Sequence, residues 1–211
     1  MIRIAAAVLA LAAAFALVGH SPAQEQADKK VGHFNKVIKP GDAAPDFKDL
    51  EGVDAKKHSL ADYKDKDVVV LVITCNHCPV AQAYQDRIMG FTKQYAGPNS
   101  KVAVVAINVN NNDEDKLEEM SKRAKEKGYN FPYLYDPSQA VGRELGATVT
   151  PEFFVLSKDR KVVYMGAMDN SIKQPTVNYL EPAVKAALKG ETPPVQETRG
   201  HGCGVQYEKP K

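Results

Sequence analysis

Two short aliphatic runs with a helical stretch between them restrict this chain more than any other feature. Asp67 to Thr74 (DVVVLVIT) holds six consecutive aliphatic residues, Val68 to Ile73, and five of the six are β-branched. Lys101 to Val109 (KVAVVAINV) has the same character. Runs this short, apolar at successive positions and branched at Cβ, predict strands buried on both faces. Between them Val80, Tyr84, Ile88, Phe91 and Tyr95 recur at helical spacing. A strand, a helix and a second doubly buried strand make a parallel βαβ unit, and its crossover is expected to be right-handed.

The flanking segments add smaller elements. Lys39 to Pro45 is held extended or turned by its prolines and glycine. Asp46 to Leu50 then alternates, and Glu51-Gly52 reads as the turn of an N-terminal hairpin. After the second aliphatic run, Asn112 or Asp113 is placed to cap a helix with an acidic first turn. That helix carries a modest stripe of Leu117, Met120 and Ala124, and stops at Gly128. Its basic end (Lys122, Arg123, Lys125, Lys127) suits the macrodipole and reads as a solvated face. Asp136-Pro137-Ser138-Gln139 predicts a helix start with proline in the first position, running through Val141 and Leu145 to Gly146. Glu152–Leu156 and Lys161–Met165 flank a four-residue turn as a hairpin, and Leu180, Val184, Ala187 and Leu188 line a last helix ending at Gly190. Pro182 is acceptable in that helix only within its first turn.

The ends differ from this body. Arg3, the apolar stretch Ile4–Val18 and the small residues of Ser21-Pro22-Ala23 form the pattern of a cleaved secretory signal over residues 1–23, with an uncleaved anchor as the alternative. Residues 24–36 read as a flexible leader, 37–190 as the folded domain, and 191–211 as an irregular tail. A signal implies export to a periplasmic or extracellular space, with no membrane insertion once it is removed. The net charge of +2, with bases and acids interspersed, gives no case for a nucleic-acid partner. Three cysteines are too few for a disulfide-stapled scaffold, so they are expected to matter as chemistry.

Two of them form Cys75-Asn76-His77-Cys78, where the first buried strand ends and the helix begins. A helix N-terminus has unpaired N–H groups and a partial positive charge, which favour a thiolate. On that reasoning Cys75 is expected to be the more exposed thiol of lower pKa, with Cys78 one turn away and able to close a disulfide with it. Protonated His77 would lower the Cys75 pKa further; otherwise it is an exposed spacer. Zinc is the competing use, through Cys75, Cys78, His201 and Cys203, in a non-catalytic binding module. The spacing of His201 and Cys203 is too short for a usual second chelating pair. No metal and no cofactor is therefore assigned. Thr150-Pro151 stands directly before a strand, where proline marks a strand start or a special turn. A cis peptide there would let the Thr150 backbone pair with an extended substrate beside the thiols. Cys203, within Gly-His-Gly-Cys-Gly, is either a third redox thiol or a free or intermolecularly paired tail thiol.

The combination of G-D-A-A-P-D-F, a strand running into C-N-H-C-P, and T-P before a hairpin resembles the thioredoxin-like redoxins. The nearest branch is similar to the extracytoplasmic peroxiredoxin-like (AhpC/TSA-related) proteins that keep a Cys-x-x-Cys, and the G-C-G-V-Q-Y tail resembles one found in that branch. The resemblance covers residues 37–190. It implies a thioredoxin-like α/β fold, a central mixed sheet flanked by helices, with an N-terminal hairpin extension. It also implies Cys75 as attacking thiol, Cys78 as resolving thiol and Pro151 as a cis-proline facing them, with Thr74, Asn76, His77 and Thr150 in support. The implied activity is thiol–disulfide exchange with protein substrates, reset by a separate redox partner. A hydroperoxide-reducing thiol peroxidase is the alternative. Against it, Leu71 and Cys75 stand where the peroxidase pattern has Pro and Thr before its reactive cysteine, here aligned with Cys78. Thr74 and Asn76-His77 likewise replace the Trp and Gly-Pro of a thioredoxin.

Overall fold

A computed structural model describes residues 34–209. The signal assigned to residues 1–23 and all but the end of the leader assigned to 24–36 lie outside the described residues.

An N-terminal hairpin is present, β1 (Leu50–Gly52) and β2 (Lys57–His58), with Leu50 opposite His58. Its turn is Val53–Lys56 and not Glu51-Gly52, because β1 also pairs on its other edge and is thereby held extended through Gly52. The aliphatic runs are β3 (Val68–Ile73) and β4 (Val102–Asn108), parallel and in register from Val68–Val102 to Ile73–Ile107. Helix α1 (Pro79–Tyr95) connects them and buries Tyr84, Ile88 and Phe91 from the predicted stripe.

Along β3 the side chains alternate between two cores, as a strand's period of two requires. Val68, Val70 and Val72 pack with Tyr84, Ile88, Phe91 and Met120 on one face. Val69, Leu71 and Ile73 pack with Phe47, Leu60, Val141 and Leu145 on the other.

The next helix departs from expectation. A single 3-10 turn at Asp113–Asp115 comes first, and α2 (Leu117–Lys127) starts only after Lys116, which has extended backbone. Neither Asn112 nor Asp113 caps it; Gly128 does end it, in the left-handed conformation. A strand absent from the predicted order, β5 (Tyr133–Tyr135), then pairs parallel to β4 and antiparallel to β1.

Helix α3 (Ala140–Leu145) begins three residues later than the proline position suggests. The Asp136 carboxylate accepts from the N–H of Ser138 (3.1 Å) and of Val141 (2.9 Å), so Pro137–Gln139 form a turn that precedes the helix. A two-residue strand β6 (Val149–Thr150), the cis Thr150–Pro151 bond, and the hairpin β7 (Glu152–Leu156) and β8 (Val162–Gly166) follow. Helix α4 (Leu180–Leu188) holds Pro182 in its first turn.

The seven-stranded mixed sheet runs β2-β1-β5-β4-β3-β7-β8. Residues 191–209 are docked, in contrast to the irregular tail expected. Thr198 donates its N–H to Met165 O (3.0 Å), and a last strand β9 (Cys203–Gly204) pairs with β6. Among the described residues no helix is long and apolar enough to cross a membrane.

Candidate active site

The site lies where β3 leaves the sheet. The N–H of Thr74 donates to Ile107 O (3.0 Å), carrying β3's pairing one residue past its end, and the chain then turns through Cys75–Cys78 into α1. Cys78 is the residue that caps the helix. Its backbone is extended, proline occupies the first helical position, and its sulfur accepts the N–H of Ala81 at 3.4 Å. The helix N-terminus therefore acts on Cys78, one loop later than the reading that assigns it to Cys75.

The loop between the cysteines is tied down by a residue that sequence reasoning missed. Asp115, fully buried at the end of the 3-10 turn, accepts the N–H of Asn76 (2.6 Å) and of His77 (3.3 Å). Its other oxygen is hydrogen-bonded to His77 Nδ1. Asn76 is buried and held on all sides. Its Nδ2 donates to Glu114 O (3.0 Å), while its Oδ1 accepts from the Tyr133 hydroxyl (3.1 Å) and its carbonyl from Gln82 Nε2 (2.8 Å). His77 is half-buried and engaged, so it is not a free spacer. In sequence Asp115 reads only as one of several acids before a helix, and nothing local marks it as buried.

From the opposite side β6 and Pro151 meet the thiols. The Thr150 hydroxyl lies 3.1 Å from Cys75 Sγ, and the Thr150 carbonyl oxygen lies 3.1 Å from Cys78 Sγ. Pro151 itself is buried.

Cys78 is bonded to Cys203 across 125 residues, with Cα atoms 5.9 Å apart, and Cys75 is the free thiol. As a disulfide sulfur Cys78 has no proton for the Thr150 carbonyl; as a thiol it has one. Cys203 is accordingly neither free nor paired with another molecule. The tail reaches the site because Cys203 stands directly opposite Thr150 in the β6–β9 pairing.

The electrostatics also depart from expectation. Cys75 is only 5% exposed, and burial pushes its thiol up to about 11. The Thr150 hydroxyl and the N–H groups of Cys78 and His77 favour the thiolate, while the Asp115 charge opposes it; desolvation outweighs the favourable contacts.

The ligand-type atoms of Cys75, His77 and Asp115 all lie within 4.8 Å of one another. Asp115 serves two N–H groups and His77, so in this structure the three residues form a hydrogen-bonded cluster. The Cys75, Cys78, His201, Cys203 zinc set is not assembled here, because two of its sulfurs are joined to each other.

Against known proteins, the family model described as Redoxin matches residues 39–181. A search of curated proteins finds no match. Among solved structures, an uncharacterized conserved protein from Geobacillus kaustophilus is 32% identical with a TM-score of 0.76, covering 84% of this chain and 96% of its own. A hypothetical protein from Sinorhizobium meliloti 1021 is 33% identical with a TM-score of 0.74, covering 82% and 97%. A thiol:disulfide interchange protein of the thioredoxin family from Chlorobium tepidum TLS is 23% identical with a TM-score of 0.55, covering 72% and 98%, a likeness of fold alone.

Proposed function

This chain belongs to the redoxin family, and from that premise we propose that it is an exported thiol–disulfide oxidoreductase acting on protein thiols and disulfides. The observation that carries the reading is the convergence of all three cysteines at one strand–helix junction, two as a disulfide and one as a thiol. An electron pair passes among them by exchange. The Cys75 thiolate attacks Cys78 Sγ; a Cys75–Cys78 bond forms as the Cys78–Cys203 bond breaks, and the pair leaves on the Cys203 sulfur, which takes a proton from solvent. The resulting Cys-x-x-Cys disulfide oxidises a partner dithiol, and the reduced pair reduces a partner disulfide.

Cys78, at the helix cap and in contact with the β6 edge, is the sulfur that exchanges with the partner, and Cys75 resolves. This reverses the roles implied by the resemblance. Its support is the cap at Cys78 and the raised thiol at Cys75. A separate redox partner resets the pair. Export rests on the signal pattern of residues 1–23 and accords with a disulfide-permissive compartment.

One contact favours the peroxidase reading: the Thr150 hydroxyl beside Cys75 is a polar group of the type such an enzyme sets near its sulfur. Against it, Arg87, Arg123, Arg143 and Arg160 are engaged with Asp169, Gln85, Glu208 and Tyr63, and Arg199 of the tail is exposed.

The test is a redox titration of the full chain with disulfide mapping, alongside dithiol-driven reduction of insulin and stopped-flow oxidation by hydrogen peroxide. Catalysed insulin reduction that Cys78→Ser abolishes is the expected result. Rapid sulfenate formation with no catalysed exchange would overturn the assignment in favour of a peroxidase.

A further inference from the structure

We propose that the Val149–Thr150 edge is a seat for an extended partner segment bearing glycine immediately before its reactive cysteine, and that the chain's own residues 199–204 occupy this seat as a strap latched by Cys203. The inference rests on the exchange reading above and adds to it the class of partner and the means by which the site is closed.

Three observations converge on it. First, the tail lies on the edge as a strand. Thr150 is opposite Cys203, Val149 is opposite Gly204, and the N–H of Val205 donates to Thr148 O at 3.0 Å. The pairing brings the cysteine of the docked strand onto Cys78.

Second, the approach is too close for a side chain before that cysteine. A Cβ on Gly202 would lie 2.1 Å from Thr150 O and 2.6 Å from its carbonyl carbon. On Gly200 it would lie 2.5 Å from Val149 Cγ2. On Gly204 it meets nothing within 4 Å, so the residue after the cysteine is unconstrained. Backbone carbonyls in a paired strand cannot move aside as a flexible side chain can, so the seat selects Gly-Cys.

Third, the strap is anchored at both ends, and between them the β6 pairing and the Cys78–Cys203 bond hold it. On one side Thr198 is fixed by its N–H to Met165 O (3.0 Å) and by accepting the N–H of Ala167 (2.9 Å). On the other, the Tyr207 hydroxyl donates to Ala147 O, Gln206 N–H to Asn110 Oδ1 and Glu208 N–H to Gln139 Oε1, each at 2.8 Å. The intervening Arg-Gly-His-Gly-Cys-Gly has glycine at alternate positions. Once the Cys78–Cys203 bond opens, the strap can arch away while its ends hold. Cys203 then stays at high effective concentration, and an external segment enters by competing with it.

With a partner disulfide in the seat, the Cys78 thiolate attacks the sulfur of the Gly-Cys residue. The Cys78–partner bond forms, and the electron pair leaves on the partner's other sulfur. The Cys75 thiolate then attacks Cys78, closing Cys75–Cys78 and releasing the partner's cysteine as a thiolate.

The test uses reduced full-length Cys203→Ser protein and the synthetic peptide RGHGCGVQ, its cysteine carried as a mixed disulfide with thionitrobenzoate. A second peptide has alanine in place of the glycine before the cysteine, and Ellman's reagent serves as a small disulfide without a segment to seat. The glycine peptide is expected to release thionitrobenzoate about tenfold or more faster than the alanine peptide, the cost of losing strand pairing. In the reduced full chain with Cys203 intact, Gly202→Ala unseats the strap and speeds reaction of the glycine peptide, whereas Gly204→Ala behaves as the unsubstituted chain. Equal rates for the two peptides would overturn the seat, as would indistinguishable Gly202→Ala and Gly204→Ala proteins. Failure to react with Ellman's reagent as well would overturn the exchange reading together with it.

Discussion

In the oxidised chain Cys75 is the only free thiol, so alkylation reads a single site. Its pKa is pushed up to about 11, first by burial. Against an ordinary thiol near 8.5, the thiolate fraction at pH 8 falls from roughly one in four to roughly one in a thousand. The rate of carbamidomethylation, followed by mass, should therefore climb about tenfold per pH unit without a plateau through about pH 10. Restricted access scales the whole curve down and leaves its shape unchanged. Two substitutions should move that shape in opposite directions. Asp115→Asn removes the charge that opposes the thiolate but keeps an oxygen for the N–H groups of Asn76 and His77, so the midpoint falls. Thr150→Val removes the hydroxyl that favours the thiolate while leaving the backbone of β6 in place, so the midpoint rises. A plateau near or below pH 9 in the unsubstituted chain, or shifts of the opposite sign, would refute the claim that desolvation governs this thiol.

Stability should carry the same signature. Folded Cys75 holds its proton more tightly than unfolded Cys75, so that contribution is complete below the ordinary thiol pKa and is lost as pH rises toward 11. The loss reaches about 3 kcal/mol, read as falling denaturant midpoints, and Cys75→Ser should flatten the fall. Glu152 behaves analogously at lower pH. Burial raises its pKa, with the Glu197 charge adding, against the N–H groups of Thr148 and Val149. Glu152→Gln retains an oxygen for both, so its melting temperature should exceed that of the unsubstituted chain at neutral pH. That advantage should shrink as the solution is acidified and the native carboxyl protonates.

What could be foreseen follows from the range of the interactions involved. Strands β3 and β4 are apolar on both faces, and helix α1 carries a stripe with a fixed period, so their signals repeat every few residues. The cysteine loop is legible because it stands where the apolar run of β3 ends and the stripe of α1 begins. By contrast, β5 is a three-residue strand whose neighbours, β4 and β1, supply the pairing that holds it extended, and no alternation is long enough to show it. Asp115 acts on backbone groups 38 and 39 residues away, so its local surroundings say only that it precedes a helix. The tail has no period at all, because it is fixed by the Cys78–Cys203 bond, a two-residue pairing with β6 and scattered hydrogen bonds to Met165, Thr148, Asn110 and Gln139. The one local trace of its docking was the alternation of glycine around Cys203, which permits the close approach to Thr150.

The burial that quiets Cys75 also decides how the latch opens. With roughly a ten-thousandth of Cys75 ionised near neutral pH, attack from inside is slow. An external thiolate has two sulfurs to choose between. Cys78 is fully buried, while Cys203 lies in a half-exposed strand. Attack on Cys203 makes Cys78 the leaving group, and that sulfur sits at the cap of α1, accepting the Ala81 N–H where the helix favours negative charge. A stabilised thiolate leaves faster, so access and leaving-group chemistry select the same bond polarity. Because Cys203 packs against the Cys75–Cys78 cluster, lifting the strap rehydrates Cys75 at the moment Cys78 is freed. On the proposed exchange, opening of the strap by a partner would raise the small thiolate fraction of Cys75 just when it is needed to resolve, while in the closed chain one sulfur is held as a disulfide and the other as a buried thiol.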